Sequence, residues 1–182
     1  MLPYHNPLPW VAPGTALFAV IGVFASGPLA RALKTRRFVG WLLVVSLALI
    51  AFATVVPLYG TFEATPSGSV GCDLSVWTPV TVAHFVAKDD RAANVVLFIP
   101  LGCALGLLPR SRRSLLLVLG GMALPVAIEA TQALLPVLHR ACQSGDVIDN
   151  VTGLLVGLIG GVVATVVFGR LKSVTDASSV SA

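Results

Sequence analysis

The sequence predicts an all-α, polytopic membrane helix bundle, and three observations predict it. Hydrophobic residues make up 56% of the 182 positions, and the mean hydropathy is +0.91. Only 11% of residues are charged, against about 25% in an ordinary soluble domain. The apolar residues come in long runs, with basic residues in the gaps between them. A small soluble fold has no interior large enough to hide that much apolar surface. The formal charge of +4 is therefore a topology signal. No nucleic-acid motif is present, and no nucleic-acid partner is expected.

A hydrocarbon core about 30 Å thick is crossed by roughly 20 helical residues, and five segments approach that length. The first is Val11–Leu33. The stretch before it, MLPYHNPLPW, has no Lys or Arg and no small-residue cleavage pattern, so the segment reads as a retained helix. No lipidation motif is seen. The second segment is Val39–Gly60. Thr61–Ala92 follows as one sizeable loop, too short for a core of its own. Within it, Thr78–Lys88 suits a short interfacial helix with Val80, Val82, Phe85 and Val86 apolar. The third segment, Ala93–Leu108, is short unless its start reaches back into Asp89–Ala92, and would otherwise be re-entrant. The fourth, Ser114–Leu138, carries Pro125 and Pro136. The fifth is Val147–Phe168. Residues 1–172 are expected to form a single transmembrane domain, and residues 173–182 a disordered cytoplasmic tail.

The basic residues set the orientation. Arg31, Lys34, Arg36 and Arg37 fall in one gap, Arg110, Arg112 and Arg113 in another, and Arg170 and Lys172 after the last segment. These nine of twelve cations share one side, which the positive-inside rule assigns to the cytoplasm. The expectation is five spans, N-terminus out and C-terminus in, in a cytoplasmic (plasma) membrane. Of the eight acidic residues, only Asp176 falls on the inner side. Acidic residues contribute little to orientation, so their outer position suggests a role there.

Cys72 and Cys142 both fall in expected outer loops, where the environment is oxidising. They are a candidate disulfide that would tie the long loop to the start of the fifth helix, with two free thiols as the alternative. Cys103 lies within the third segment.

The residues most in need of explanation are polar ones beside apolar helices, because ionisable groups near the bilayer centre are costly and rare. Glu129 and Gln132 are spaced i, i+3 and share a helical face, as do Asp146 and Asn150 at i, i+4. Asn94 opens the third segment and Arg140 lies between the fourth and fifth. In the expected orientation all six residues point toward the outer half of the membrane. A buried Glu needs a cation, hydrogen bonds or a proton, and Arg140 is the nearest cation in sequence. Its guanidinium could instead grip a phosphate or carboxylate. Each residue also has a plainer reading. Gln132 and Asn150 could be interhelical glue, Asp146 and Asp149 an acidic first turn, and Arg140 a snorkelling anchor. Gly153, Gly157 and Gly161 recur every four residues, as do Gly102 and Gly106, and this spacing permits close helix packing within the bundle or between copies. No nucleotide loop, zinc-protease motif, nucleophile elbow or Cys/His metal spacing is found, so no cofactor or metal is expected.

The run NVVLFIPLG (Asn94–Gly102), the pair Glu129 and Gln132, and then Arg140, Asp146, Asn150, Gly153 and Gly157 resemble the VanZ-like family of bacterial membrane proteins. The resemblance covers about Asn94–Val163. It departs from the family's pattern between Arg140 and Asp146, where further acidic residues are frequent and this chain has Gln143 and Gly145, with Asp149 in addition. The resemblance implies a cell-envelope protein of a family whose namesake is an accessory to glycopeptide (teicoplanin) resistance.

The leading expectation joins these readings. Asn94, Glu129, Gln132, Arg140, Asp146 and Asn150 would line a polar pocket facing the outer leaflet, for an anionic lipid or cell-wall precursor among the membrane lipids. The alternatives are an enzyme on a lipid-linked substrate with Glu129 as acid or base, a partner-binding module or homo-oligomer built on the glycine faces, and a transporter. No nucleophile accompanies Glu129. The chain also lacks the internal repeat common in transporters.

Overall fold

The computed structural model describes residues 10–56, 72–138 and 140–180, with side chains set aside at Pro136 and over 170–180. The expected end of the second segment at Gly60, most of the outer loop and His139 lie outside the described residues. Helix α1 is Val11–Leu33 and α2 is Arg37–Thr54. Strand β1 (Cys72–Asp73) and the short helix α3 (Val82–Ala87) come next. Then follow α4 (Asp90–Gly106), α5 (Arg112–Leu134), a 3-10 turn over Pro136–Leu138, β2 (Cys142–Gln143) and α6 (Ser144–Val180). The bundle is all-α apart from the two short strands, which pair in parallel, Cys72 opposite Cys142.

Among the described residues, four helices are long and apolar enough to cross a membrane: α1, α2, α5, and α6 over Ser144–Gly169. Helix α4 has 17 residues and is about 25 Å long. Its start does reach back past Ala93, to Asp90, because the Asp89 side chain caps the helix by accepting from the Ala92 N–H at 3.1 Å. Helix α5 is capped in the same way by Ser111. It ends at Leu134, short of the expected Leu138. The residue before a proline is pushed out of the helical region, and Leu135, before Pro136, sits at φ −119°, ψ 78°. Helix α6 continues through Val180, whereas composition suggested an unstructured segment from residue 173.

The packing is that of a protein dissolved in lipid. The buried residues of α1 are small, Gly14, Gly22, Ser26 and Ala30, while Val20, Val23 and Phe24 face outward. Trp41 on α2 donates its indole N–H to the Ala19 carbonyl at 2.9 Å and locks the α1–α2 hairpin. Helix α4 is the interior element, packed against α2, α5 and α6, with Phe98 and Ala104 wholly buried.

Helices α4 and α6 lie side by side in the same direction. A Cβ placed on Gly153, Gly157 or Gly161 would overlap the carbonyl oxygen of Val95, Ile99 or Cys103 respectively. From the other side, Gly102 and Gly106 meet the backbone of Leu154 and Leu158. Contact this close is open only to glycine. The parallel arrangement requires α5 to carry the chain back from the end of α4 to the start of α6.

Basic residues concentrate at one end of the bundle. There Arg113 donates to the Ala32 carbonyl at 2.8 Å, joining the first turn of α5 to the last turn of α1. The opposite end holds β1, β2, Arg140 and the first turns of α4 and α6.

Candidate functional site

That opposite end contains a cavity of about 500 Å³, walled by α2, α4, α5, the chain leading into β2, and α6. Asn94, Glu129, Gln132, Arg140, Asp146 and Asn150 all line it, joined by Asp90, Gln143 and Thr54. Glu129, Gln132 and Asn150 are at most 7% exposed.

Each polar side chain is held by a specific contact. Glu129 accepts the backbone N–H of Gln143 at 2.8 Å. Gln132 donates from Nε2 to the Thr54 carbonyl at 3.0 Å, tying α5 to α2. Asn94 lies beside the Asp146 carboxylate, joining α4 to α6. Arg140 donates from Nη2 to the Val56 carbonyl at 3.4 Å, a long bond. Its burial disfavours the charged form and pulls the guanidinium below its ordinary range.

The expected Arg140–Glu129 pair does not form. Arg140 leans toward the C-terminal end of α2, while Glu129 takes its donor from β2. Among the described residues no ion pair joins Arg140 to any carboxylate. The cavity therefore keeps its charges apart, with Arg140 on one side and Asp90, Glu129 and Asp146 on the others.

Three buried side-chain atoms of this cavity have no hydrogen-bond partner among the described residues: Gln132 Oε1, Arg140 Nε and Asn150 Oδ1. An unpartnered buried polar atom is unusual in a native protein and calls for a cause such as a ligand or water. The described residues contain no group of three or more His, Cys, Asp or Glu arranged to hold a metal ion. His139, a conceivable ligand beside Asp146 and Asp149, lies outside them.

The ion pair that does form was not anticipated. Arg91 donates from Nε and Nη2 to the two carboxylate oxygens of Asp149 at 2.7 and 2.8 Å, and from Nη2 also to the Thr78 carbonyl at 2.6 Å. Asp149 is wholly buried. The signal was available in the glycine stripe. Asp149 stands one turn before Gly153, on the face that continues through Gly157 and Gly161.

The outer loop is fastened to the same place. Cys72 and Cys142 are joined by a disulfide across 70 positions. Ser144 Oγ donates to the Val76 carbonyl at 2.6 Å. His84 and Asp89 pair at 2.5 Å, which holds the Asp89 carboxyl below its usual value. Helix α3 buries none of its residues, so Val82, Phe85 and Val86 present an exposed apolar face.

A second cavity, of about 580 Å³, is almost entirely apolar and runs along α1 between α2 and α4. Ala12, Ala16 and Ala19 form its floor, and it shares Ala53 and Leu97 with the polar cavity.

A sequence model of the protein family described as VanZ/LLP1 matches residues 10–167, well beyond the stretch from Asn94 that carried the resemblance. No curated protein and no solved structure matches the chain.

Proposed function

The chain belongs to the VanZ/LLP1 family and is a membrane protein of that type, and from that premise we propose that it binds an amphiphile, a membrane lipid or lipid-linked envelope precursor. The headgroup occupies the polar cavity and the tail lies in the adjoining apolar groove. The observation that carries this reading is the set of three unpartnered buried atoms, Gln132 Oε1, Arg140 Nε and Asn150 Oδ1, around one cavity. Each such group costs about 1–3 kcal/mol when left unsatisfied, and a ligand that supplies partners recovers that energy. The apolar groove favours an amphiphile over a water-soluble ligand, since the two cavities share Ala53 and Leu97. The basic loops lie at the other end of the bundle, and by the positive-inside rule this supports an outer-leaflet address for the cavity in a bacterial cytoplasmic membrane.

Arg140 is the anion-binding group of this reading, with a free edge for a phosphate or carboxylate oxygen. An effect on teicoplanin susceptibility would follow if the bound species is one the antibiotic must reach. In lipid-binding assays on the purified full chain, Arg140→Ala is expected to reduce binding at least tenfold, the scale of one charge-assisted contact, with normal expression and melting temperature. Unchanged binding would leave the cavity as a hydrated packing feature. Turnover of the bound lipid that disappears in Glu129→Gln would instead favour an enzyme. The glycine faces support neither a partner module nor a homo-oligomer, because α4 and α6 consume them within one chain.

A further inference from the structure

Resting on the reading above, we propose that the headgroup is a zwitterion carrying a primary ammonium beside its phosphate or carboxylate, and that Asp146, Glu129, Gln132 and Asn150 receive the ammonium while Arg140 holds the anion. The expectation of a purely anionic ligand came from Arg140 alone. The full lining argues otherwise. Asp90, Glu129 and Asp146 surround the space that Arg140 enters, and no cation of the described chain pairs with any of them. A purely anionic headgroup would satisfy Arg140 and leave those carboxylates facing a like charge.

The decisive point is the kind of atom left unpartnered. Gln132 Oε1 and Asn150 Oδ1 are acceptors. A phosphate diester or carboxylate has no N–H or O–H to give them. An ammonium has three. Arg140 Nε is a donor, and it needs the oxygen that the anionic half supplies. The cavity thus presents unsatisfied acceptors on α5 and α6 and an unsatisfied donor on the chain between them, in one space of about 500 Å³. Both halves of the ligand are required to complete the set. A divalent cation is the other occupant that carboxylates suggest, but the described acidic groups are not arranged to hold one. A quaternary ammonium fits the charge and fails the hydrogen-bond requirement, because it carries no N–H.

That last distinction supplies the test. The full chain in nanodiscs is titrated with three phospholipids of identical acyl chains, bearing ethanolamine, choline or glycerol headgroups. Phosphatidylethanolamine is expected to bind at least about tenfold more tightly than either of the others, because choline has no N–H to donate and the glycerol hydroxyls donate without the positive charge that strengthens hydrogen bonds to carboxylates. Asp146→Asn is expected to erase the preference over the glycerol headgroup while glycerol-headgroup binding persists. The comparison of ligands on the unaltered chain stands even if that variant fails to fold. Equal binding of the choline lipid would overturn the primary ammonium, equal binding of the glycerol lipid would overturn the zwitterion, and either would leave lipid binding in place. Binding of none of the three above the Arg140→Ala background would overturn both proposals. Competition by free phosphoethanolamine separates the sources. Displacement only by the acylated molecule supports a lipid, and displacement at equal affinity by the free headgroup supports the zwitterion while overturning the amphiphile.

Discussion

Arg91 and Asp149 fix how α4 and α6 meet beside the cavity. Their bidentate pair joins the first turn of α4 to the second turn of α6, and Asp149 has no exposed surface. The mate of a buried charge is needed more than the pair itself. Removing one partner leaves the other uncompensated, at about 3–5 kcal/mol, while replacing both by apolar residues is far milder. Arg91→Met is therefore expected to destabilise the protein by about that amount, and Arg91→Met with Asp149→Leu to recover most of it. Thermal unfolding in detergent measures both. A double variant whose loss equals the sum of the Arg91→Met and Asp149→Leu losses would show that the pair does not couple. The cavity residues were legible in the sequence, since Glu129, Gln132, Asp146 and Asn150 are polar islands at helical spacing beside apolar runs. Their partners were not. Arg140 was matched to Glu129 by nearness along the chain, but Glu129 found a backbone N–H on β2. Arg91 lies at the boundary between loop and third segment by composition, and the capping of α4 at Asp89 decides for the helix.

Among the elements, the glycine stripe of α6 is the feature that places everything else. It lets α6 approach α4 until each Gly Cα meets a carbonyl of its neighbour. The same face then carries Asp149 to Arg91, and the adjacent position carries Asn150 into the cavity. Gly157→Leu would drive a branched side chain into the Ile99 carbonyl, and backbone cannot yield as a flexible side chain does. The variant is expected to lose about 1–3 kcal/mol, read as a fall in folded yield and melting temperature. Gly160→Leu is the control, since a Cβ there meets nothing within 4 Å. Matching losses in the two would mean that added side-chain bulk in general, not α4–α6 contact, is being measured, since Leu has the higher helix propensity. The repeat of four was visible in the sequence, but its partner was not. Small residues every fourth position suit contact within a chain or between copies equally, and only the facing Gly102 and Gly106 of α4 decide it. Several helix ends are dictated by residue types that the hydropathy bounds pass over. Asp89 and Ser111 cap and Pro136 stops, whereas the start of α6 three residues before Val147 depends on Ser144 reaching the Val76 carbonyl.

At the scale of the whole molecule, the parallel α4–α6 pair and the Cys72–Cys142 disulfide make one claim about sidedness. Two parallel neighbours joined by α5 put the starts of α4 and α6 at one end and the basic connections at the other. The disulfide sits at the cavity end and fixes β2, whose Gln143 N–H is the donor to Glu129. A bond that closes a separation of 70 residues is expected to contribute up to about 4 kcal/mol through the unfolded chain. It forms only if that end faces an oxidising compartment. The positive-inside rule, drawn from Arg31, Lys34, Arg36, Arg37, Arg110, Arg112 and Arg113, independently assigns the opposite end to the cytoplasm. The two arguments share no residue, so they can be tested against each other. Single cysteines are introduced as Trp77→Cys and Arg110→Cys in a chain whose three native cysteines are replaced. A membrane-impermeant thiol reagent applied to intact cells is expected to label the first and spare the second. In the unaltered chain, only reduction is expected to open Cys72 and Cys142 to the same reagent. Labelling of both introduced cysteines from one side would break the parallel helix pair. Labelling of Arg110→Cys alone would invert the molecule, and the cavity would then face the cytoplasm, where its ligand would have to be sought.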